Sequence, residues 1–324
     1  MRLAACLLLL FCAGRADAFL FGGSSDRKAG ELLGELRAAR DRGDCAAVGR
    51  LSEAFFAEKP PAAMREEVYA CVGACYERGG LTDKAISTYR LALELYPRNH
   101  VFAAGLAGIY NASGFHAKAA PLFLKVLEGR PDDVQACLGL ARAYAALGFH
   151  ARAKTYYSRA VVLRDFSDAG LLKEYAGAML RKRDWDEALF IAGKGEALLP
   201  GDAAWPLARA RALYGRGDYY KALPELEAAL LLAPSRALRL ERALCLLMAG
   251  LPRRAIAAAE TELAADPADP LASIVKGMAL YNLGEKAAAA PYFKAAGAGG
   301  PFTAAVAAAF AVAPAPAGTE TCKN

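Results

Sequence analysis

The sequence is poor in groups that perform chemistry. Only three histidines occur in the chain, and the phosphate-cradling GxxxxGK[ST], zinc-protease HExxH, nucleophile-elbow GxSxG and Gly-rich dinucleotide patterns are all missing. No CxxC pair occurs, and Cys71-Val-Gly-Ala-Cys75 has no histidine near it, which makes it a poor zinc or redox motif. His116 and His150 sit in near-identical stretches, Gly114-Phe115-His116-Ala117-Lys118-Ala119 and Gly148-Phe149-His150-Ala151-Arg152-Ala153, without neighbouring carboxylates or thiolates to complete a metal site. The expectation is a chain that is not an enzyme, with no catalytic residue, no metal and no cofactor.

Runs of like charge are also missing. The formal net charge is +6, and Lys and Arg are spread along the chain in the manner of solvated helix faces, not gathered into a nucleic-acid footprint. No nucleic-acid partner is expected. The longest uninterrupted apolar run, residues 3–13, is far shorter than the roughly 20 residues that span a bilayer. It follows Met1-Arg2 and precedes Ala16-Asp17-Ala18, with small residues at the −3 and −1 positions of a cleavage site, so residues 1–18 read as a secretory signal peptide. A lipid anchor at Cys12 is disfavoured because the bulky Phe11 precedes it. The chain is expected to be exported, periplasmic or secreted, with no integral membrane span.

What is abundant is apolar: 56% of the 324 residues are hydrophobic and 23% charged, so most of the chain must bury surface and fold. Beyond residue 18 it carries Cys45, Cys71, Cys75, Cys137, Cys245 and Cys322. An oxidising compartment permits disulfides. Cys71 and Cys75 lie one turn apart on one predicted helix and Cys45 on the helix before it, so Cys45 could bridge either one; the competing reading is small buried residues between close-packed helices.

Self-alignment reveals the organisation. Alanines recur at Ala85, Ala119, Ala153, Ala188, Ala222, Ala255 and Ala289, in steps of 33 to 35 residues. Twelve residues after each comes Pro97, Pro131, Asp165, Pro200, Pro234, Pro267 or Pro301. Between the rungs, apolar residues such as Tyr69, Val72, Tyr76, Tyr89 and Ala92 recur at helical spacing on two segments joined by a Gly-containing turn, so each unit is a helical hairpin. Small residues at Gly73, Ala107, Ala141, Ala176, Ala210, Ala243 and Gly277 let helices approach, and aromatics such as Tyr89, Phe123, Tyr157 and Phe293 fill the remaining space. Ala192 and Ala259 replace that aromatic, and Arg209, Arg242 and Lys276 stand where an apolar residue is expected. The proline closes the second helix.

These residue types at these spacings resemble the tetratricopeptide repeat (TPR) family, whose repeat is 34 residues long. The resemblance implies an all-α, right-handed superhelical solenoid of about eight helical hairpins with a C-terminal capping helix. Its expected layout is a signal peptide (1–18), a flexible leader (19–30), repeats near 31–61, 66–99, 100–133, 134–168, 169–202, 203–235, 236–269 and 270–301, a capping helix (302–313) and a disordered tail (314–324). Asn111-Ala112-Ser113 is a glycosylation sequon, placed by this layout in an exposed turn.

The resemblance also implies a function, a non-enzymatic scaffold that holds a protein or peptide on the face lined by the first helix of each hairpin. Carrying over the family's contact positions gives a basic band, Arg142, Lys173, Arg181 and Arg211, suited to acidic side chains or a terminal carboxylate. It also gives an apolar groove, Leu240, Leu244, Leu247, Met248, Leu271, Ile274, Met278 and Tyr281, suited to an amphipathic helix or extended apolar peptide, unless residues 302–313 fold back into it. The family's clamp for acidic C-termini is not reproduced, because Asn111 and Lys173 fall in the wrong combination of units. With the export signal, the expected role is a scaffold of the cell envelope; the alternative is a regulatory or support subunit of an envelope enzyme complex acting on peptidoglycan or polysaccharide or in secretion.

The export reading has a direct check. Intact-mass and N-terminal analysis of protein recovered from cells should give a mature chain beginning at Phe19; a chain that retains residues 1–18 would contradict it.

Overall fold

The computed structural model describes residues 24–297, which form sixteen α-helices with no strand among them. The chain divides into two compact units, with the break after Leu163. The first contains α1 (Ser24–Asp41), α2 (Cys45–Ala57), α3 (Ala62–Arg78), α4 (Thr82–Leu95), α5 (His100–Ala112), α6 (His116–Gly129), α7 (Val134–Ala146) and α8 (His150–Leu163). The second contains α9 (Ala169–Lys182), α10 (Trp185–Leu198), α11 (Ala204–Arg216), α12 (Tyr219–Leu232), α13 (Arg236–Met248), α14 (Pro252–Ala265), α15 (Pro270–Asn282) and α16 (Lys286–Gly297). Each unit is four antiparallel hairpins in which a helix packs on its sequence neighbours, and most first helices also pack on the first helix of the next hairpin. Residues 19–30 were expected as a flexible leader, but α1 already begins at Ser24. Its buried Ala29, Leu33 and Leu36 commit it to the first hairpin core. The signal peptide, capping-helix and tail assignments lie outside the described residues.

The alanine ladder lies in the core, with Ala85, Ala119, Ala153, Ala188, Ala222, Ala255 and Ala289 all buried. The residue that takes the place of proline at position 165 has a conformational reason: Asp165 has φ +48° and Phe166 φ +53°, and a proline ring fixed near −65° cannot adopt the first of these. Asx and Ser side chains start α5, α7, α9, α13 and α15. Asn99 accepts from the amides of Val101 and Phe102, Asp133 from Ala136, Asp168 from Leu171, Ser235 from Leu238 and Asp269 from Leu271 and Ala272. Four of these five caps follow a ladder proline within two residues, so at those junctions one short segment stops one helix and caps the next.

The fit of rings against missing side chains sets the interhelix spacing. Tyr89, buried in α4, lies over Gly73 of α3 and Gly105 of α5, and a Cβ at Gly105 would stand 2.6 Å from its Cζ. Phe123 covers Gly139 in the same way. In the second unit, where Ala192 replaces the expected aromatic, the fully buried Trp205 of α11 fills the space against Gly195 of α10. Asn111 is a helical residue of α5, not a turn residue, and its Nδ2 donates to the carbonyl of Gly139 at 3.0 Å while Oδ1 meets His116 Nδ1 at 2.6 Å. The atom a glycan would modify is therefore engaged in helix packing, which removes the sequon from consideration.

Two glycines one turn apart give opposite expectations. Gly105→Ala should destabilise by about 1–3 kcal/mol, because the added methyl overlaps Tyr89. Gly108→Ala has nothing within 4 Å of the new carbon and should stabilise by about 0.5–1 kcal/mol through helix propensity. Urea unfolding midpoints of the two variants check both.

Candidate functional site

The first helices of the second unit, α9, α11, α13 and α15, carry two adjoining cavities. One, of about 830 Å³, is lined by Leu180 and Arg181 of α9, Arg183, Trp185, Arg211 and Tyr214 of α11, Tyr219, and Glu241, Leu244 and Met248 of α13, among others. The second, of about 530 Å³, lies between α13 and α15 and is lined by Arg236, Leu240, Glu241, Leu244, Leu271, Ile274 and Met278, together with Ala237, Asp269 and Val275. Glu241 and Leu244 belong to both, so the cavities form one groove. Met248 and Leu271 are 41% and 45% exposed, large apolar surface available to a ligand.

Most of the expected apolar residues meet here, and two do not. Leu247 is 4% exposed and belongs to the core formed with Leu223, Leu246 and Ala255, because its position on α13 points it between helices. Tyr281 lies beyond the cavity lining, with the Lys286 ammonium 5.5 Å from its ring centre. Trp185 and Tyr214 were missed. Trp185 packs on α11 where Gly215 has no side chain, a signal readable only from the partner helix, since a Cβ there would lie 2.6 Å from its Cζ2.

The basic band is largely consumed by internal pairing. Arg211 donates from Nη2 and Nε to the Glu241 carboxylate at 2.6 and 3.1 Å, joining α11 to α13 across 30 residues, and this raises the arginine pKa. Lys173 is paired with Asp202 and stands 5.7 Å from the Trp205 ring centre. Arg142 belongs to the first unit, where it lines a separate cavity of about 550 Å³ with Asn111, His116, Asp133 and Gln135. At the groove's other end Arg236 is held by Asp266 at 2.8 Å and by Asp269. The buried Glu262 carboxylate accepts from Arg239 Nε at 2.5 Å. Among the described residues Arg181 and Arg183 make no ion pair, and both are exposed at the mouth of the larger cavity. Arg183, absent from the expected set, ends α9 with φ +60°, where several other hairpins place glycine, and that left-handed turn brings it to the groove.

Among the described residues no three His, Cys, Asp or Glu side chains converge to hold a metal ion, and no helix is long and apolar enough to cross a membrane.

The repeated hairpins and a first-helix groove define a helical-repeat protein. Residues 26–192 match the family model described as Tetratricopeptide repeat, and residues 207–270 and 249–304 match a second model with the same description, so the chain belongs to the tetratricopeptide repeat family. The fold recurs in the C-terminal part of a TPR repeat-containing protein from Cytophaga hutchinsonii, 16% identical, with a TM-score of 0.61 over 74% of this chain and 97% of that one. It recurs also in a tetratricopeptide repeat protein from Parabacteroides merdae, 17% identical, with a TM-score of 0.52 over 78% of this chain and 99% of that one. No curated protein matches the chain. The expected fold class, all-α and built of about eight TPR hairpins, is the one the structure has.

The ion pairs beside the groove give a pH expectation. The Lys173 hydrogen bond, with the amide of Ala204, lowers the pKa of Asp202. A carboxyl depressed in the folded state contributes stability that is present above its unfolded pKa, about 3.9 for Asp, and is lost as pH falls through the folded value. Stability should therefore fall below about pH 4, and Lys173→Met should make that fall shallower. Urea midpoints between pH 2.5 and pH 7 test the difference.

Proposed function

We propose that this TPR protein is a non-enzymatic interaction scaffold of the cell envelope and that the second unit's groove holds an apolar segment of a partner protein bearing an acidic side chain. The observation that carries this reading is the pairing of a continuous Leu-, Met- and Tyr-lined groove with two unpaired guanidinium groups at one end. An apolar segment laid along α13 and α15 would cover Leu240, Leu271 and Met278, and flexible methionines at Met248 and Met278 would adapt to its side chains. An acidic group of the segment at the α9 end would meet Arg181 and Arg183 without displacing an existing ion pair. A guanidinium can accept a carboxylate in a two-point contact, which fixes direction as well as adding affinity.

Membership of the TPR family supports a protein partner in general. The envelope location rests on the export reading of residues 1–18.

A photoreactive residue at position 278, expressed in the native host, should give a discrete intermolecular adduct. A control at exposed Ala257 on α14 should not. The Arg181→Glu, Arg183→Glu double variant should cut the adduct yield by roughly tenfold, as expected for reversal of charges that steer and orient a ligand. An exclusively intramolecular adduct to residues 302–313 would overturn the reading, since the groove would then be occupied by the chain's own C-terminal segment. An adduct indifferent to the double variant would overturn its acidic component.

A further inference from the structure

The hairpin α1–α2 stands at the start of the first unit and packs, among the described helices, on α3 alone beyond itself. Its Leu33, Leu36, Val48 and Phe55 meet Val68, Val72 and Cys75 of α3 in one core. Hairpins inside a stack are held from both sides, whereas among the described helices this one is held on one side, which leaves it open to local unfolding. Lys28 bonds Glu58 at 2.5 Å and Arg37 bonds Glu67 at 2.6 Å, but these contacts are exposed and contribute little.

Three thiols converge at that interface. Cys45 begins α2 and is half-buried, with its Sγ 3.3 Å from the carbonyl oxygen of Cys75 on α3. Burial and then the hydrogen bond with Cys45 push the Cys75 thiol up to about 11. Cys71, one turn earlier on α3, is turned toward Arg40, whose Nη1 lies 3.7 Å from its Sγ. The spacing in the sequence leaves Cys71 and Cys75 as equal partners for Cys45, whereas the packing separates them. Cys245 lies elsewhere, buried in α13 with its Sγ 3.4 Å from the carbonyl of Tyr219, and Cys137 is buried in α7.

We propose that Cys45 and Cys75 form a disulfide that fastens the terminal hairpin to α3, and that Cys71 stays reduced. The oxidant required is a disulfide of the glutathione class. The Cys45 thiolate, on the accessible residue, attacks one sulfur of that disulfide and releases one thiol, leaving a mixed disulfide at Cys45. The Cys75 thiolate then attacks Cys45 Sγ and expels the second thiol, so two protein thiols become one disulfide and the oxidant becomes two thiols. The Cys75 proton goes to the departing thiolate, and the Arg78 guanidinium, with Nη2 3.5 Å from Cys75 Sγ, favours the attacking thiolate. Closing a loop of 30 residues restricts the unfolded chain and opposes opening of the hairpin. This proposal is independent of what the groove binds.

The test uses the full chain in a glutathione buffer with the oxidised form in excess, digested without reduction and mapped by mass spectrometry. A Cys45–Cys75 linkage is expected, present also in Cys71→Ser and lost in Cys45→Ser. Hydrogen exchange across residues 24–57 should be at least about tenfold slower in the oxidised protein than in oxidised Cys45→Ser, with no difference under reduction. Linkage of Cys45 to Cys71, Cys45 arrested as a glutathione adduct, or Cys45 and Cys75 both recovered as free thiols would each overturn the pairing. A Cys45–Cys75 linkage without slower exchange would overturn its fastening role.

Discussion

In the first unit the ring of Tyr89 occupies volume that side chains at Gly73 and Gly105 would otherwise fill, so one aromatic sets the approach of α4 to the helices on both sides. Phe123 does this at Gly139, and Phe293 at Gly277 in the second unit. The arrangement recurs in hairpins of both units because interiors pack at crystal-like density, and a large group on one helix requires a small one opposite it. Much else follows from that spacing. It brings the exposed faces of first helices of adjacent hairpins close enough for side chains about 30 residues apart to touch.

Charge on that face is governed by the same spacing. Arg37 meets Glu67, Lys173 meets Asp202 and Arg211 meets Glu241, each pair bridging one first helix to the next hairpin. Such pairs are partly exposed and add modest stability, but they remove cations from the inventory open to a ligand. Their consequence for recognition is selective. In the second unit's groove the charges that remain unpaired are Arg181 and Arg183, and the surface beside them is apolar. Arg183 reaches that position through a left-handed residue where glycine would be less strained.

Partly buried cations are matched just as locally. Arg209 is raised in pKa although burial opposes its charge, because Glu225 and Glu196 bracket it from α12 and α10. Lys276 stands 2.8 Å from Glu260 and over the Tyr292 ring. Two of the three cations that depart from the repeat's apolar pattern, Arg209 and Lys276, are therefore matched by acids on neighbouring second helices, which is how a repeat stack accommodates them without an uncompensated buried charge.

The sequence by itself determined the hairpin, its period and its small-against-large core, because alanine, aromatic and proline must recur wherever the same contact recurs. It also determined which helix of each hairpin carries Leu240, Leu244, Leu271, Ile274 and Met278. Tertiary structure alone decided the site's detail: Leu247 turns into the core, Lys173 and Arg211 are taken by Asp202 and Glu241, Trp185 and Arg183 enter the groove, and Asn111 is bound into helix packing. It likewise turned Cys71 toward Arg40 and placed Cys75 beside Cys45. The reason is physical. A repeated backbone contact writes itself into every repeat, whereas an ion pair or side-chain direction depends on one residue of a neighbouring hairpin, which no periodicity within the chain records.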